Sequence, residues 1–281
     1  MTESDVDVSV IVAVRNGAAT LAQCIDSVLA QAACNVELVI VDAMSDDGTK
    51  EIVESYGARI AAYIREPDGG ISEAWNRALD VARGEWCLFL GADDYLIASS
   101  ALSSLLACAR DAPRGTVIAH GGIERVGGMQ PSKHHPEPSD LRAHIASGRM
   151  IPHQGVLHSM GALKCIGGFD VSFQIMGDAD ALLRLLRIGE GVRSAGTVSA
   201  MRIGGLSTSS EWQHVLSAER FRLMRRERGL LYAAVFRMLF GCAQALVRIT
   251  EEAVMVWFGV DRGQRILVRV RGLVRRPAKR Y

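Results

Sequence analysis

Val8-Ser-Val-Ile-Val-Ala-Val14, then Arg15-Asn16-Gly17, then Leu21, Cys24, Ile25, Val28 and Leu29 at helical spacing: this opening stretch decides the fold. The first run is rich in β-branched residues and short enough for a strand, Asn-Gly is a turn signal, and the stripe marks one helix face. Thr20 and Gln23 stand at capping-box spacing where that helix begins. The unit then repeats. Val36 to Val41 reads as a second strand, Ser45-Asp-Asp-Gly48 as a turn, Ile52, Val53 and Tyr56 as a helix face, and Arg59 to Ile64 as a third strand. After Pro67-Asp-Gly-Gly70, the residues Ile71, Ala74, Trp75, Ala78, Leu79 and Ala82 form the best helical stripe in the chain, and Trp86 to Leu90 reads as a buried strand. Strands alternating with helices through short loops predict an α/β fold, a mostly parallel sheet covered on both faces. Ligands of such sheets sit beyond the carboxyl ends of the strands, so Arg15-Asn16, Asp42 to Asp47 and Ala92-Asp93-Asp94 are expected to line one crevice.

Farther on, Ile118 to Pro138 is rich in Gly, His and Pro and suggests irregular or hairpin structure. Helical periodicity returns at Ala179 to Ile188, with Gly189 as a stop, and the chain beyond Trp212 reads as helical and basic. At 281 residues with 49% hydrophobic and 22% charged residues, composition suits a globular protein and excludes a disordered one. The six cysteines lie in apolar stretches without a CxxC pair, which fits a reduced, cytoplasmic chain. Met1 to Asp7 is acidic and polar, without the basic region and apolar stretch of a signal peptide.

Two acidic clusters invite chemistry. In Phe89-Leu-Gly-Ala-Asp93-Asp94 a pair of carboxylates follows an apolar strand directly; the pair suits Mg²⁺ or Mn²⁺, or else caps a helix starting near Ala98. In Gly177-Asp178-Ala-Asp180, acids open a helix, where they favour its dipole or, placed within reach of a hydroxyl, serve as a general base. No GxGxxG or P-loop motif supports dinucleotide binding or ATP hydrolysis.

The order of these signals resembles the family 2 glycosyltransferases of GT-A fold, particularly the bacterial polysaccharide-assembly branch that includes colanic-acid-type enzymes. The resemblance spans roughly Val8 to Ser207 and rests on Val8 to Asn16, Glu37 to Thr49, Glu66 to Asn76, Gly84-Glu-Trp, Leu90 to Asp94, Gly167-Gly-Phe-Asp170 and Gly177 to Arg184. It implies an inverting transfer of a sugar from a nucleotide-diphosphate sugar to a hydroxyl of a saccharide or lipid-linked acceptor. It also implies roles by position. Asp42 would recognise the nucleotide base, with Ala13, Arg15 and Asn16 as the neighbouring wall. Asp68 and Gly69 would form the next donor-contacting segment, followed by Asn76 and Arg77. Asp94 would hold Mn²⁺ or Mg²⁺, Asp93 would contact ribose or donor sugar, and Asp178 would be the base, favoured over Asp180, with Arg184 as its helix partner. His153-Gln154 resembles the acceptor-side segment and Gly204-Gly-Leu-Ser207 a loop near the donor phosphates; His134-His135 reads as solvated surface. Two departures, Val14-Arg15-Asn16 and Gly177-Asp178 in place of the commoner Tyr-Asn and Glu-Asp, bear on donor identity rather than on reaction class.

Charge is unevenly spread. Glu219 to Tyr281 carries 15 Lys/Arg against 5 Asp/Glu, whereas the chain before it carries 17 against 26. Apolar runs punctuated by arginines, with Trp257 and Phe258, suit helices lying in an anionic membrane interface, or else packing on protein. A catalytic domain over 1–211 and a basic helical region over 212–281, peripheral on the inner face of the cytoplasmic membrane, are therefore expected. Basic residues interleaved with apolar runs argue against a nucleic-acid surface. The competing functions are a sugar-nucleotide nucleotidyltransferase, which wants a basic phosphate loop that Arg15-Asn16-Gly17 matches poorly, and a non-catalytic membrane scaffold, against which the intact acids speak.

Overall fold

A computed structural model describes residues 5–127, 133–135 (backbone only), 140–203, 212–239 and 241. The chain divides into two compact units, Met1–Leu223 and Met224–Tyr281. Residues 213–223 of the helix Gln213–Arg228 thus fall in the first unit.

The first unit is built on a mixed sheet flanked by helices. Strands β1 (Val8–Val14), β2 (Val36–Asp42), β3 (Ala62–Arg65) and β4 (Trp86–Gly91) run parallel in the order β3-β2-β1-β4, linked by α1 (Leu21–Leu29), α2 (Thr49–Tyr56) and α3 (Ile71–Val81). Short β5 (Tyr95–Leu96) and α4 (Ala101–Arg110) follow, then β6 (Thr116–Val126), β7 (Lys133–His135) and α5 (Leu141–Ala146). A single 3₁₀ turn, His153–Gly155, leads into β8 (Val156–Ser159), which inserts antiparallel between β4 and β6. Then come α6 (Met160–Cys165), α7 (Gly177–Leu185), β9 (Glu190–Arg202), which pairs with β6 and β5, and α8 (Gln213–Arg228).

Strand alternation divides the core between the two faces of the sheet. Ile11, Val39, Val41 and Phe89 pack with Trp75 of α3 and Leu182 of α7, while Val10, Val12, Ile40 and Leu88 pack with Ile25 of α1 and Leu105 of α4. Register decides what happens at the top of the sheet. Val14 pairs with Asp42, and Ala13 with Gly91, so the chain leaves β1, β2 and β4 at one level and the three expected loops meet there.

Four local expectations change. The third strand is shorter and later than Arg59 to Ile64, because Gly57–Arg59 forms a 3₁₀ turn first. The Thr20 side chain makes no cap bond, and Gln23 Oε1 instead accepts from Arg202 Nη2. Asp93 and Asp94 cap no helix, since β5 intervenes and α4 starts at Ala101 with Ser100 as its N-cap. The Gly-rich stretch after Ile118 contains a hairpin, but its first arm is the buried eleven-residue strand β6. Glycine belongs there because a Cβ on Gly121 would stand 2.7 Å from Val198 Cγ2 and 2.8 Å from Gly196 O, so the residue allows β9 to approach.

Candidate active site

The acid pair terminates β4. Asp94 is only 3% exposed, and its carboxylate is held from both sides: Gln154 Nε2 donates to Oδ2 at 2.8 Å, and Arg202 N to Oδ1 at 3.0 Å. Arg202 also braces the turn by donating from Nε to Asp93 O at 2.9 Å. Burial, followed by the neighbouring Asp93 charge, pushes the Asp94 carboxyl up to about 6. Burial, with the same two acids adding to it, raises the thiol of Cys24, whose Sγ donates to Gly91 O at 3.5 Å. Two adjacent carboxylates, one of them buried, fit a hard divalent cation, whose charge would offset both the burial and the neighbouring charge that raise Asp94. Among the described residues no group of three or more His, Cys, Asp or Glu forms a ligand set, so a cation here would take its other positions from water and a bound phosphate.

Asp178 stands in the first turn of α7, buried, with Oδ2 3.2 Å from Nδ1 of His153. His153 is the residue immediately before Gln154. The 3₁₀ turn at the head of β8 therefore touches Asp178 with one side chain and Asp94 with the next. The His153 ring packs edge-on to Trp75 at 4.9 Å, and Trp75, Phe89 and Phe169 form an aromatic floor with ring centroids 4.8 to 5.1 Å apart. This floor fixes the turn by packing rather than by charge.

Asp180, one residue past Ala179, is fully buried and turned away. Arg184 Nε donates to it at 2.7 Å, and the same guanidinium donates to Ile166 O at 2.8 Å and Gly168 O at 2.7 Å. Asn76 similarly spends its amide on one backbone unit, donating to Phe169 O and accepting from Phe169 N, both at 2.8 Å. Asp180, Arg184 and Asn76 thus hold the 166–176 segment that delivers Asp178.

Beyond the carboxyl ends of β1 and β2, the two loops are laced together. Asn16, with φ of 55°, donates from N to Ser45 Oγ at 2.8 Å and accepts at Oδ1 from Asp46 N at 3.1 Å. Gly17 N donates to Thr49 Oγ1 at 3.0 Å, and a Cβ at Gly17 would meet Val14 Cγ2 at 2.6 Å and Ala92 Cβ at 3.3 Å, so the loop also presses on the one preceding the acid pair. Asp42 is 0% exposed and accepts from Ser45 N and Oγ, Tyr63 Oη and Arg65 Nε, so all its capacity goes to shaping the β2 loop. Its position is as expected, but no free oxygen faces outward. Asp68 accepts from Gly70 N at 3.0 Å, and burial raises its carboxyl despite Arg77 and Arg15 nearby, which places Arg15 and Asp68 on the same rim. Gly69 N donates to Glu73 Oε2 at 2.8 Å, closing the start of α3. Ala13 is half-buried one residue below the rim. Gly204 to Ser207 lie outside the described residues, as do the side chains of His134 and His135.

The family model for glycosyl transferase family 2 matches residues 9–162, more than half of the chain. The chain belongs to glycosyl transferase family 2. That membership sets the nucleotidyltransferase alternative aside and makes the chain a glycosyltransferase by family. A "PGL/p-HBAD biosynthesis glycosyltransferase" of Mycobacterium bovis is 32% identical over 184 residues, covering 63% of this chain and 68% of the relative. An uncharacterized glycosyltransferase of Rickettsia typhi is 29% identical over 189 residues, covering 64% and 59%. Among solved structures, S. aureus TarS residues 1–349 in complex with UDP superimposes with a TM-score of 0.59 at 18% identity, covering 78% of this chain and 70% of that one. The mannosyltransferase PcManGT of Pyrobaculum calidifontis, in complex with GDP-Man and Mn²⁺, gives 0.55 at 17% identity, covering 89% and 80%. The fold of this family 2 glycosyltransferase is accordingly GT-A.

Two residues of the site carry no sequence signal of their own. Arg202 and Arg65 reach the acids from strand ends far along the chain, and only strand order reveals their neighbourhood. Glu219 is different: it stands at i+3 from Leu216 and i−4 from Leu223, an acid on the apolar stripe of a mostly basic helix.

Proposed function

We propose that this family 2 glycosyltransferase catalyses a single inverting displacement of a sugar from a nucleotide-diphosphate sugar onto an acceptor hydroxyl. The observation that carries the reading is the pair His153-Gln154, whose adjacent side chains join Asp178 to Asp94. A leaving-group site and a base must lie about one sugar ring apart for direct displacement, and two consecutive residues impose that separation. Asp178 accepts the proton of the acceptor hydroxyl; the hydroxyl oxygen bonds to the anomeric carbon as the bond from that carbon to the diphosphate oxygen breaks. His153 orients the Asp178 carboxylate, and Arg202 and Gln154 hold Asp94. Mn²⁺ or Mg²⁺, held by Asp94 with Asp93 on the ribose or donor-sugar side, would neutralise the departing diphosphate. Arg15, Asn16 and the Asp68-Gly69 turn form the rim over which the nucleotide lies, and Asp42 acts on the base through the Ser45 loop that it shapes.

The acceptor we infer is a saccharide or lipid-linked glycan of cell-surface polysaccharide or glycolipid assembly, in the manner of colanic-acid-type enzymes. The name of the mycobacterial relative, with its reference to PGL/p-HBAD biosynthesis, supports this class. We place the enzyme on the inner face of the cytoplasmic membrane, with 1–211 as the catalytic part and 212–281 as the attachment region. Exposed Leu230, Leu231, Met238 and Leu239, following Arg225, Arg226 and Arg228, support that placement. No helix among the described residues is long and apolar enough to cross a membrane.

A thermal-shift panel of UDP-, GDP- and dTDP-sugars with Mn²⁺ identifies the donor, because a ligand of the folded state raises the melting temperature. Transfer is then assayed with that donor. The wild type turns over, and Asp94→Asn and Asp178→Asn remain folded with transfer reduced at least a hundredfold. Near-native turnover by either variant rejects the role given to that residue.

A further inference from the structure

The approach to α7 is held from outside the motif region. Gln174, Ile175 and Met176 immediately precede the helix that carries Asp178, and three consecutive backbone N–H groups there need acceptors. One side chain supplies all of them. Glu219 of α8, 8% exposed, accepts from Gln174 N at 2.6 Å on Oε1, and from Ile175 N at 3.0 Å and Met176 N at 2.9 Å on Oε2. One turn later Arg222 sets its guanidinium carbon 4.2 Å over the Phe173 ring and donates to Asp170 Oδ2 at 3.4 Å. Leu216 and Leu223, on the same face of α8, are buried in the core that contains Met176 and Ala179.

The rest of the segment is equally committed. Arg184 takes the carbonyls of Ile166 and Gly168, Asn76 takes Phe169, and Ser72 Oγ donates to Phe173 O at 3.3 Å. Those anchors come from α3 and α7 and bind carbonyls and the Phe169 N–H. The N–H groups at 174 to 176 are held by Glu219. A carboxylate bound by three amides is a stiff link, because each bond is charge-assisted and the group is shielded from water.

We infer that Glu219 is a positioning residue for sugar transfer: through the amides of residues 174–176 it fixes the origin of α7, and so the distance of the Asp178 carboxylate from the reacting centre. The inference rests on the assignment of Asp178 as base. Glu219 touches neither donor nor acid pair, so its loss alters the chemical step and spares nucleotide binding.

The test uses the full chain and Glu219→Gln, which keeps the shape but removes the charge and turns one acceptor into a donor facing amide N–H groups. Hydrogen–deuterium exchange is expected to accelerate at least tenfold in peptides covering 170–180 and to stay unchanged in β1 and β4. The Kd for UDP or GDP with Mn²⁺, whichever binds the wild type, stays within threefold, while kcat for transfer falls at least tenfold. Arg222→Ala serves as the milder second variant, with the same pattern at smaller amplitude, should Glu219→Gln fail to accumulate. Wild-type exchange in 170–180, or accelerated exchange with unchanged kcat, overturns the inference. Wild-type chain that transfers no sugar from any donor would reject the sugar-transfer reading itself, and the exchange comparison would still decide whether Glu219 holds the segment.

Discussion

Asp94→Asn is expected to make the ligand-free protein more stable while abolishing its chemistry. Asp94 is nearly dry, and burial with the adjacent Asp93 raises its carboxyl from the ordinary 3.8 to about 6. A shift of roughly 2 units corresponds to about 3 kcal/mol against the ionised form. Because the folded-state value lies above the unfolded one, the protonated group stabilises the fold below pH 3.8, and that stability is lost as pH rises through 6. At pH 8 the wild type therefore bears nearly the whole penalty, which a neutral amide removes. The amide also finds its partners. Arg202 N still has an oxygen to donate to, and Gln154, whose Oε1 is buried without a partner among the described residues, can turn its amide over to accept from the new NH₂. For a protein of this size 1 kcal/mol moves Tm by about 2–4 °C, so the variant should melt roughly 6 °C or more above wild type at pH 8. Thermal unfolding from pH 8 to pH 4.5 in chelator reads the effect, and the gap should begin to narrow as pH falls through 6 and shrink steadily towards 3.8. A variant no more stable than wild type at pH 8, or a gap independent of pH, refutes the reasoning.

Other outcomes follow from the same geometry. Affinity for a nucleoside diphosphate with Mn²⁺ should weaken as pH drops through about 6, since Asp94 must be ionised to hold the cation; titration calorimetry between pH 5 and 8 measures it. Arg184→Met takes the Arg184 ion pair from buried Asp180 and the guanidinium donor from two carbonyls, and should lower stability by about 2 kcal/mol or more, read by denaturant unfolding. Gly17→Ala places a methyl against Val14 Cγ2 and parts the loops that meet at Ala92, so donor KM should rise about tenfold with little change in Tm. Deleting residues 242–281, which removes nine Lys/Arg and keeps Glu219 in place, should release the enzyme from vesicles of anionic lipid; unchanged co-sedimentation would reject the membrane assignment.

Much of this was written locally in the chain. Most of the strands and helices from Val8 to Gly91 follow from period and turn chemistry alone, because they bury one continuous face; half-buried β3 is the exception, and its start was missed. The acid pair and Asp178 were legible for a related reason: carboxylates at the end of an apolar strand or the mouth of a helix break the pattern around them. Strand β6 was obscured by Gly121 and Gly122; Gly121 allows a close approach of β9, a strand far along the chain. Partner choice was hidden in the same way. Asp42 and Asn76 occupy the expected positions, yet nothing local to them announces that Tyr63, Arg65 and Phe169 would claim their polar atoms.

The 3₁₀ turn at the head of β8 has an energetic corollary. On the proposed assignment, because two adjacent residues lean on both carboxylates, a shift that settles Gln154 around an occupied leaving-group site would also move His153 against the base. Donor and acceptor would then bind interdependently. By thermodynamic reciprocity, any factor by which the acceptor tightens the nucleotide would be the factor by which the nucleotide tightens the acceptor.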